Sequence, residues 1–142
     1  MASTIFQVEQ QLVNWQLSLP SSVNLVEEED LQGVEGNPLH RKFRVILSLR
    51  YYSTRILCHR PVLDRHLQLM NDGEDPSGAT LRQIGQLSKT ACLRSARAII
   101  EIVSTCTVLH DCDGALAYLG AWWFTLYYSK ILLRALSLDS SY

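Results

Sequence analysis

The sequence predicts an all-α fold of about five helices, packed as an irregular bundle with an apolar C-terminal helix at its centre. Apolar residues recur at three- and four-residue steps over long stretches, which is the periodicity of amphipathic helices. Proline and glycine separate those stretches, and no segment alternates apolar and polar residues as a half-buried strand does. The length of 142 residues suits one domain, so we predict a single domain over residues 1–142.

The composition indicates a packed protein that works inside the cell. Hydrophobic residues make up 47% of the chain and charged residues 19%, which suits a buried core. The first ten residues include Glu9 and lack the basic start and apolar run of a secretory signal. The formal net charge is -1, so the overall balance gives no sign of a surface for duplex DNA or an acidic membrane. We therefore expect neither direct nucleic-acid binding nor membrane binding.

The N-terminal half predicts two helices joined by a loop. The first helix should end at Pro20, and residues 21–37 form a polar connector that we predict to be a flexible loop. Asn37 before Pro38 suits a helix N-cap followed by proline in the first turn. The second helix should therefore begin at Pro38, and Pro61 should end it. The apolar side of the first helix comprises Ile5, Val8, Leu12, Trp15 and Leu19.

The second helix has one residue that breaks its pattern. At ~100° per residue its apolar side chains occupy a wide arc, and Arg50 falls between Phe43 and Leu57 in the middle of that arc. Snorkelling of its aliphatic stem, an ion pair or a contact with a ligand would each account for a guanidinium there. The polar side chains expected on the opposite, solvent-facing side are Arg41, Arg44, Ser48, Arg55 and His59.

The C-terminal half predicts three further helices. A short one follows Pro61 and runs from Val62 to Met70, and residues 71–78 then form a second flexible loop. The last helix, from about Asp113 to Leu138, is apolar nearly all round, so we expect it at the centre of the bundle. Between the second loop and the last helix, the sequence has its clearest amphipathic pattern, which predicts another helix. One face of this helix comprises Leu81, Ile84, Ser88, Ala91, Cys92, Ser95, Ile99, Ile102 and Cys106.

No group of residues in the sequence proposes catalysis. Cys106, His110 and Cys112 are the closest metal-ligand types, but three are too few for a closed zinc site and their spacing fits no known finger. The last helix carries an aromatic cluster that either packs in the core or lines a pocket. We predict no enzyme, no metal and no cofactor in this chain. The candidate contacts for a ligand or partner are Trp122, Trp123, Tyr127 and Arg50.

Four segments resemble, in order, the fungal-specific transcription factor domain. The main one is Leu-Arg-Tyr-Tyr-Ser-Thr-Arg-Ile-Leu-Cys-His-Arg-Pro-Val-Leu at 49–63. Trp15 with Leu19-Pro20 precedes it, and the segments 92–100 and 122–128 follow it. The resemblance implies part of an all-α regulatory domain from nuclear, often dimeric proteins, in which a six-cysteine zinc cluster elsewhere binds DNA. Zinc would belong only to that absent part. The structural signature comprises His59, Arg60 and Pro61, which should fix the end of the second helix.

The sequence therefore favours a regulatory or interaction module of a fungal-type transcription factor without its own DNA-binding zinc cluster. We expect it in the nucleus, with a protein partner or a second copy of itself, and with a small-molecule effector as a further ligand class. The alternative is a small helical protein that binds a hydrophobic ligand or a partner helix through its aromatic C-terminal helix.

Overall fold

The fold is helical throughout the part of the chain that the structure describes. This computed structural model describes residues 2–26, 37–71, 78–109, 129–134 and 136. Within those ranges there is no strand, which confirms the predicted all-α class. The elements are α1 (Ala2–Ser18), a 3-10 helix (Ser21–Val23), α2 (Pro38–Asn71) and α3 (Ala79–Leu109), and residues 129–134 are also helical.

Helices α2 and α3 form the framework of the fold and pack along each other. The face predicted for α3 is confirmed: Ser88, Cys92, Ser95, Ile99 and Ile102 are buried. Its small side chains allow the two helix backbones to approach closely. The opposite side of α3 is exposed and consists of Gln86, Thr90, Arg94, Arg97 and Glu101.

Two apolar clusters fill the space between the helices. In the first, Val45 and Leu49 of α2 pack with Val26, Ile99 and Ile102. The second consists of Leu63, Cys92 and Leu136. Ile56 packs against both clusters, so the core is continuous along α2.

The predicted C-terminal helix lies partly outside the described residues, because 110–128 are not among them. Where it is described, Ser129 and Leu136 are buried while Lys130, Ile131 and Arg134 are exposed. In its described residues, this helix therefore faces the core on one side and the solvent on the other.

The chain between α1 and α2 begins with a segment fastened to α2. The Arg44 Nε donates to the Asn24 carbonyl at 3.0 Å, and the Val26 amide donates to the Ser48 Oγ at 2.8 Å. Leu25 and Val26 are buried as a result. Of the predicted loop at 21–37, Leu25 and Val26 are thus packed against the framework, while Ser21, Ser22 and Asn24 are exposed. Residues 27–36 and 72–77 lie outside the described ranges.

The prediction that Pro61 ends the second helix is wrong. Helix α2 continues through Pro61 to Asn71, so the predicted second and third helices are one helix. A proline inside a helix removes one backbone hydrogen bond and crowds the preceding turn. Beyond it, however, Val62, Leu63 and His66 are almost fully buried against the rest of the fold. Burial of these three side chains outweighs the local cost of the proline.

The predicted orientation of α2 is wrong in part. Val45 and Leu49 of the predicted apolar arc are buried, but Phe43 and Leu57 are 47% and 63% exposed. Ser48 and His59, predicted on the opposite side, are 0% and 5% exposed. The polar side chains are buried at low cost because each has a hydrogen-bond partner on another element. Arg50 consequently lies on the exposed side of the helix, where its guanidinium remains in contact with solvent.

Gly85 is required where α3 passes His66. A Cβ at this position would lie 2.6 Å from the His66 Cβ and closer still to its ring, and His66 is 2% exposed. We predict that Gly85→Ala lowers the free energy of unfolding by about 1–2 kcal/mol, because overpacking outweighs the gain in helix propensity. Urea denaturation measures the change. The exposed neighbour provides the control, since Gln86→Ala should be nearly neutral; equal effects of the two variants would contradict the close approach.

Pro61 and Pro38 provide a matched pair within one helix. Pro61→Ala restores an amide hydrogen-bond donor inside α2, and we predict that it raises the free energy of unfolding by about 1–2 kcal/mol. Pro38 occupies the first turn, where no amide is needed, so Pro38→Ala should give no gain. Thermal melting of both variants tests this. A lower melting temperature for Pro61→Ala would mean that the proline stabilises α2.

A charged network where three helices meet

A partly buried polar network joins α1, α2 and α3. The Arg55 Nε donates to the Glu9 Oε1 at 2.6 Å, and its Nη2 bonds the same oxygen. The His59 Nε2 lies 3.1 Å from the other oxygen, Oε2, and the His59 Nδ1 lies 3.1 Å from the Ser88 Oγ. Arg55 and His59 are one turn apart on α2, so a single carboxylate reaches both. The four side chains thus connect all three helices.

The electrostatics of this network favour an ionised Glu9. Partial burial alone would raise the pKa of Glu9, but the hydrogen bonds from Arg55 and His59 and their positive charges outweigh it and lower the pKa from 4.5. The Ser88 hydroxyl can donate to a neutral imidazole or accept from a protonated one. His59 therefore keeps both hydrogen bonds in either protonation state.

The order Ser88, His59, Glu9 resembles a serine hydrolase triad, but its geometry differs. In such triads the serine contacts the imidazole Nε2 and the carboxylate contacts Nδ1. Here the two nitrogens have exchanged partners. Ser88 is 1% exposed, and Arg55 already neutralises the carboxylate. This arrangement is suited to holding helices together and gives no support to nucleophilic attack on a substrate.

Aromatic rings continue the contact between α1 and α2. Trp15 stacks on Tyr51 with ring centroids 6.1 Å apart and an angle of 18° between the planes. Tyr52 meets Tyr51 edge to face at 5.3 Å. Burial raises the pKa of the Tyr51 hydroxyl. Tyr51 lies close enough to the network for the charges of Arg55 and Glu9 to act on its hydroxyl.

The structure separates the three predicted signature residues. His59 is part of the network, while Arg60 is 52% exposed and lies 4.0 Å from Asp64, one turn along. Pro61 is exposed within α2. The candidate contact Arg50 lies on the exposed side of the same helix. The other candidates, Trp122, Trp123 and Tyr127, lie outside the described residues, so their role in ligand or partner binding stays a prediction.

No local sequence pattern pointed to Glu9 or Ser88 as a partner of His59. One signal was available: Glu9 is the only acidic residue in the first 26, and it lies on the predicted first helix. Arg55 and His59 lie at i and i+4 on one helix, and the Arg55 guanidinium would need a carboxylate if it were buried. Their separation from Glu9 by 46 and 50 residues hides the pairing from any local pattern.

The thiols of the described cysteines are poor nucleophiles. Cys92 is fully buried, which raises the pKa of its thiol to about 12, and burial also raises the pKa of Cys58. Across the described ranges, no group of three or more His, Cys, Asp or Glu side chains could hold a metal ion. Cys106, His110 and Cys112 lie beyond the side chains that are described. No described helix is long and apolar enough to span a membrane.

The sequence is similar to two curated fungal proteins, each named transcription factor FBD3. The protein of Fusarium pseudograminearum (strain CS3096) is 34% identical over 125 residues, and that of Gibberella moniliformis (strain M3125 / FGSC 7600) is 33% identical over 128. This similarity relates the chain to fungal transcription factors. Each match covers 86% of this chain but 16% of the relative, so the chain spans about a sixth of their length. No protein-family model matches the chain. No solved structure matches it.

The carboxylate of Glu9 should stabilise the fold. We predict that Glu9→Gln lowers the free energy of unfolding at pH 7 by about 1–3 kcal/mol, because the bonds from Arg55 and His59 lose their charged acceptor. Since the pKa of Glu9 is lowered in the fold, its contribution is fully present above about 4.5 and is lost as the pH falls through the lowered value. The difference between the variant and the wild type should shrink accordingly in acid.

Chemical denaturation at a series of pH values measures this difference. Glu101→Gln is the matched control, because Glu101 is an exposed glutamate on α3 and should show no such dependence. Equal stability of Glu9→Gln and the wild type at pH 7 would show that the network contributes nothing.

Proposed function

We propose that this chain is a regulatory module of a fungal transcription factor, which works in the nucleus through contacts with protein partners and without catalysis. The similarity to the two proteins named transcription factor FBD3, over 86% of this chain, is the observation that carries the proposal. In this function the module does not bind DNA itself. Its four cysteines are too few for a six-cysteine zinc cluster.

The exposed apolar side chains support a role in protein contacts. Phe6, Leu17, Leu39, Phe43 and Leu57 are large, and between 47% and 77% of each is exposed. Phe6 and Leu17 lie on α1, and Leu39, Phe43 and Leu57 lie on α2. Single exposed apolar residues are ordinary, but groups of them are typical of interaction surfaces. The partly buried network that joins the three helices would keep such a surface rigid.

A reporter assay tests the regulatory function. The full chain is fused to an unrelated DNA-binding domain, and transcription is measured from a promoter carrying the site of that domain. We expect the fusion to change transcription relative to the DNA-binding domain alone. Ala96→Asp should abolish the effect, because Ala96 is 0% exposed and a buried carboxylate would disrupt the α2–α3 contact.

Ser104→Asp is the matched control for that variant. Ser104 is also on α3 but exposed, so this change adds the same charge without disturbing the core and should preserve the effect. The proposal is wrong if the wild-type fusion, present at normal levels in the nucleus, leaves transcription unchanged.

A further inference from the structure

Helix α1 is attached to the fold by fewer buried side chains than α2 and α3 are. Among its described side chains only Ile5 is buried, and Phe6 and Leu17 are exposed. In α3, by contrast, several side chains such as Cys92 and Ala96 are completely buried. Segments with few buried apolar contacts open at a lower cost in free energy than the core does. We therefore expect α1 to separate from α2 more readily than α2 separates from α3.

The chain that follows α1 is held to α2 by contacts that do not involve α1. Residues 24–26 are fastened by the hydrogen bonds of Arg44 and Ser48. Between the end of α1 and the 3-10 helix that precedes this segment there are only Leu19 and Pro20. Pro20 is exposed, and its backbone is extended, with φ -58° and ψ 149°. Helix α1 can therefore swing about these two residues while the segment after it stays fastened.

The surface that α1 covers is a binding site for a carboxylate. Arg55 and His59 of α2 both bond the Glu9 carboxylate, and the Ser88 hydroxyl of α3 bonds the other ring nitrogen of His59. All three residues that surround the carboxylate thus belong to the framework of α2 and α3. Bonds between a guanidinium and a carboxylate are among the strong ones in proteins. A helix that took the place of α1 would therefore need an acid at the position of Glu9.

We propose that α1 is a displaceable cover, and that a helix of a partner protein replaces it by presenting its own aspartate or glutamate to Arg55 and His59. Helix α1 shows the pattern that this site accepts, because Glu9 lies between Ile5, which is buried, and Leu12, which is half-buried. The partner helix is therefore amphipathic, with a carboxylate within its apolar face. Until it binds, the network holds α1 in place. The inference rests on the proposed function and specifies how the module admits its partner.

Amide hydrogen exchange of the full chain tests whether α1 separates by itself. We expect amides in the middle of α1, at residues 8–16, to be at least about tenfold less protected than those at 45–63 of α2 and 88–102 of α3. Exchange through a local opening also responds less to urea than exchange through global unfolding, because less surface is exposed. Equal protection and equal urea dependence in all three helices would mean that α1 leaves only when the whole chain unfolds, and would overturn the proposal.

A labelled peptide with the α1 sequence, residues 2–18, tests the site on α2 and α3. In the wild type it competes with α1 of the same chain, so it binds only the small fraction of molecules in which the site is open. Glu9→Gln in the full chain increases that fraction, and we expect fluorescence anisotropy to show about fivefold to twentyfold tighter binding of the peptide. Glu101→Gln is the control, since Glu101 is exposed on α3, and it should bind the peptide as the wild type does.

Arg55→Gln is the matched partner of Glu9→Gln, because it breaks the same ion pair from the other side. It should open α1 without the tighter binding, since the guanidinium that receives the peptide's carboxylate is gone. A peptide with glutamine in place of Glu9 should likewise bind the Glu9→Gln chain about fivefold to twentyfold more weakly than the wild-type peptide does. This second peptide keeps the comparison independent of whether Arg55→Gln folds, which circular dichroism shows.

Three further results would overturn the proposal. The first is equal binding of the α1 peptide to the wild type and to Glu9→Gln, or no saturable binding to either. The second is equal affinity of the two peptides for the Glu9→Gln chain, which would mean that the site does not recognise a carboxylate. The third is a wild-type dimer in sedimentation that Glu9→Gln converts to monomer, because two copies would then exchange α1. A reporter fusion that still changes transcription would separate each of these results from a failure of the proposed function.

Discussion

The contact of Glu9 with Arg55 and His59 determines how α1 joins the rest of the fold. Apolar packing alone holds α1 weakly, because Ile5 is its only buried side chain among those described, and Phe6 and Leu17 remain exposed. The polar contact compensates for this small buried area. It also gives the Arg55 guanidinium a carboxylate and the His59 ring a hydrogen-bond partner, which matters because an unpaired charge facing the interior is far more costly than an exposed one.

This contact lies on the side of α2 that faces the interior, the side that also packs against α3. Ser48, Arg55 and His59 lie on one side of the helix, and all three bond to other elements. Val45, Leu49 and Leu63 flank this polar row and supply the apolar contacts with α3. Since these side chains already occupy the inner side of the helix, Phe43 and Leu57 are left facing solvent. The interior of this fold is therefore a mixed polar and apolar seam.

The sequence predicted what depends on neighbouring residues. The start of α2 follows from Asn37, whose Oδ1 accepts from the Leu39 amide at 2.9 Å, and the buried face of α3 follows from its periodicity. Prediction from the sequence was wrong where residues far apart in the chain interact. Periodicity shows which side chains of α2 share a side, but it does not show that the polar members of one side have partners far along the chain, such as Glu9, which is 46 residues from Arg55. The continuation past Pro61 likewise depends on tertiary burial of Val62 and Leu63, which outweighs a local rule.

Arg50 and Arg55 both need polar partners for their guanidinium groups, and they obtain them in two different ways. They lie about 140° apart around one helix, as five residues at ~100° each require. Arg55 is largely covered and obtains its carboxylate from α1. Arg50 is exposed, so water can solvate its guanidinium. The two arginines therefore follow one rule: a guanidinium that the fold covers needs a carboxylate, and one that remains in water does not.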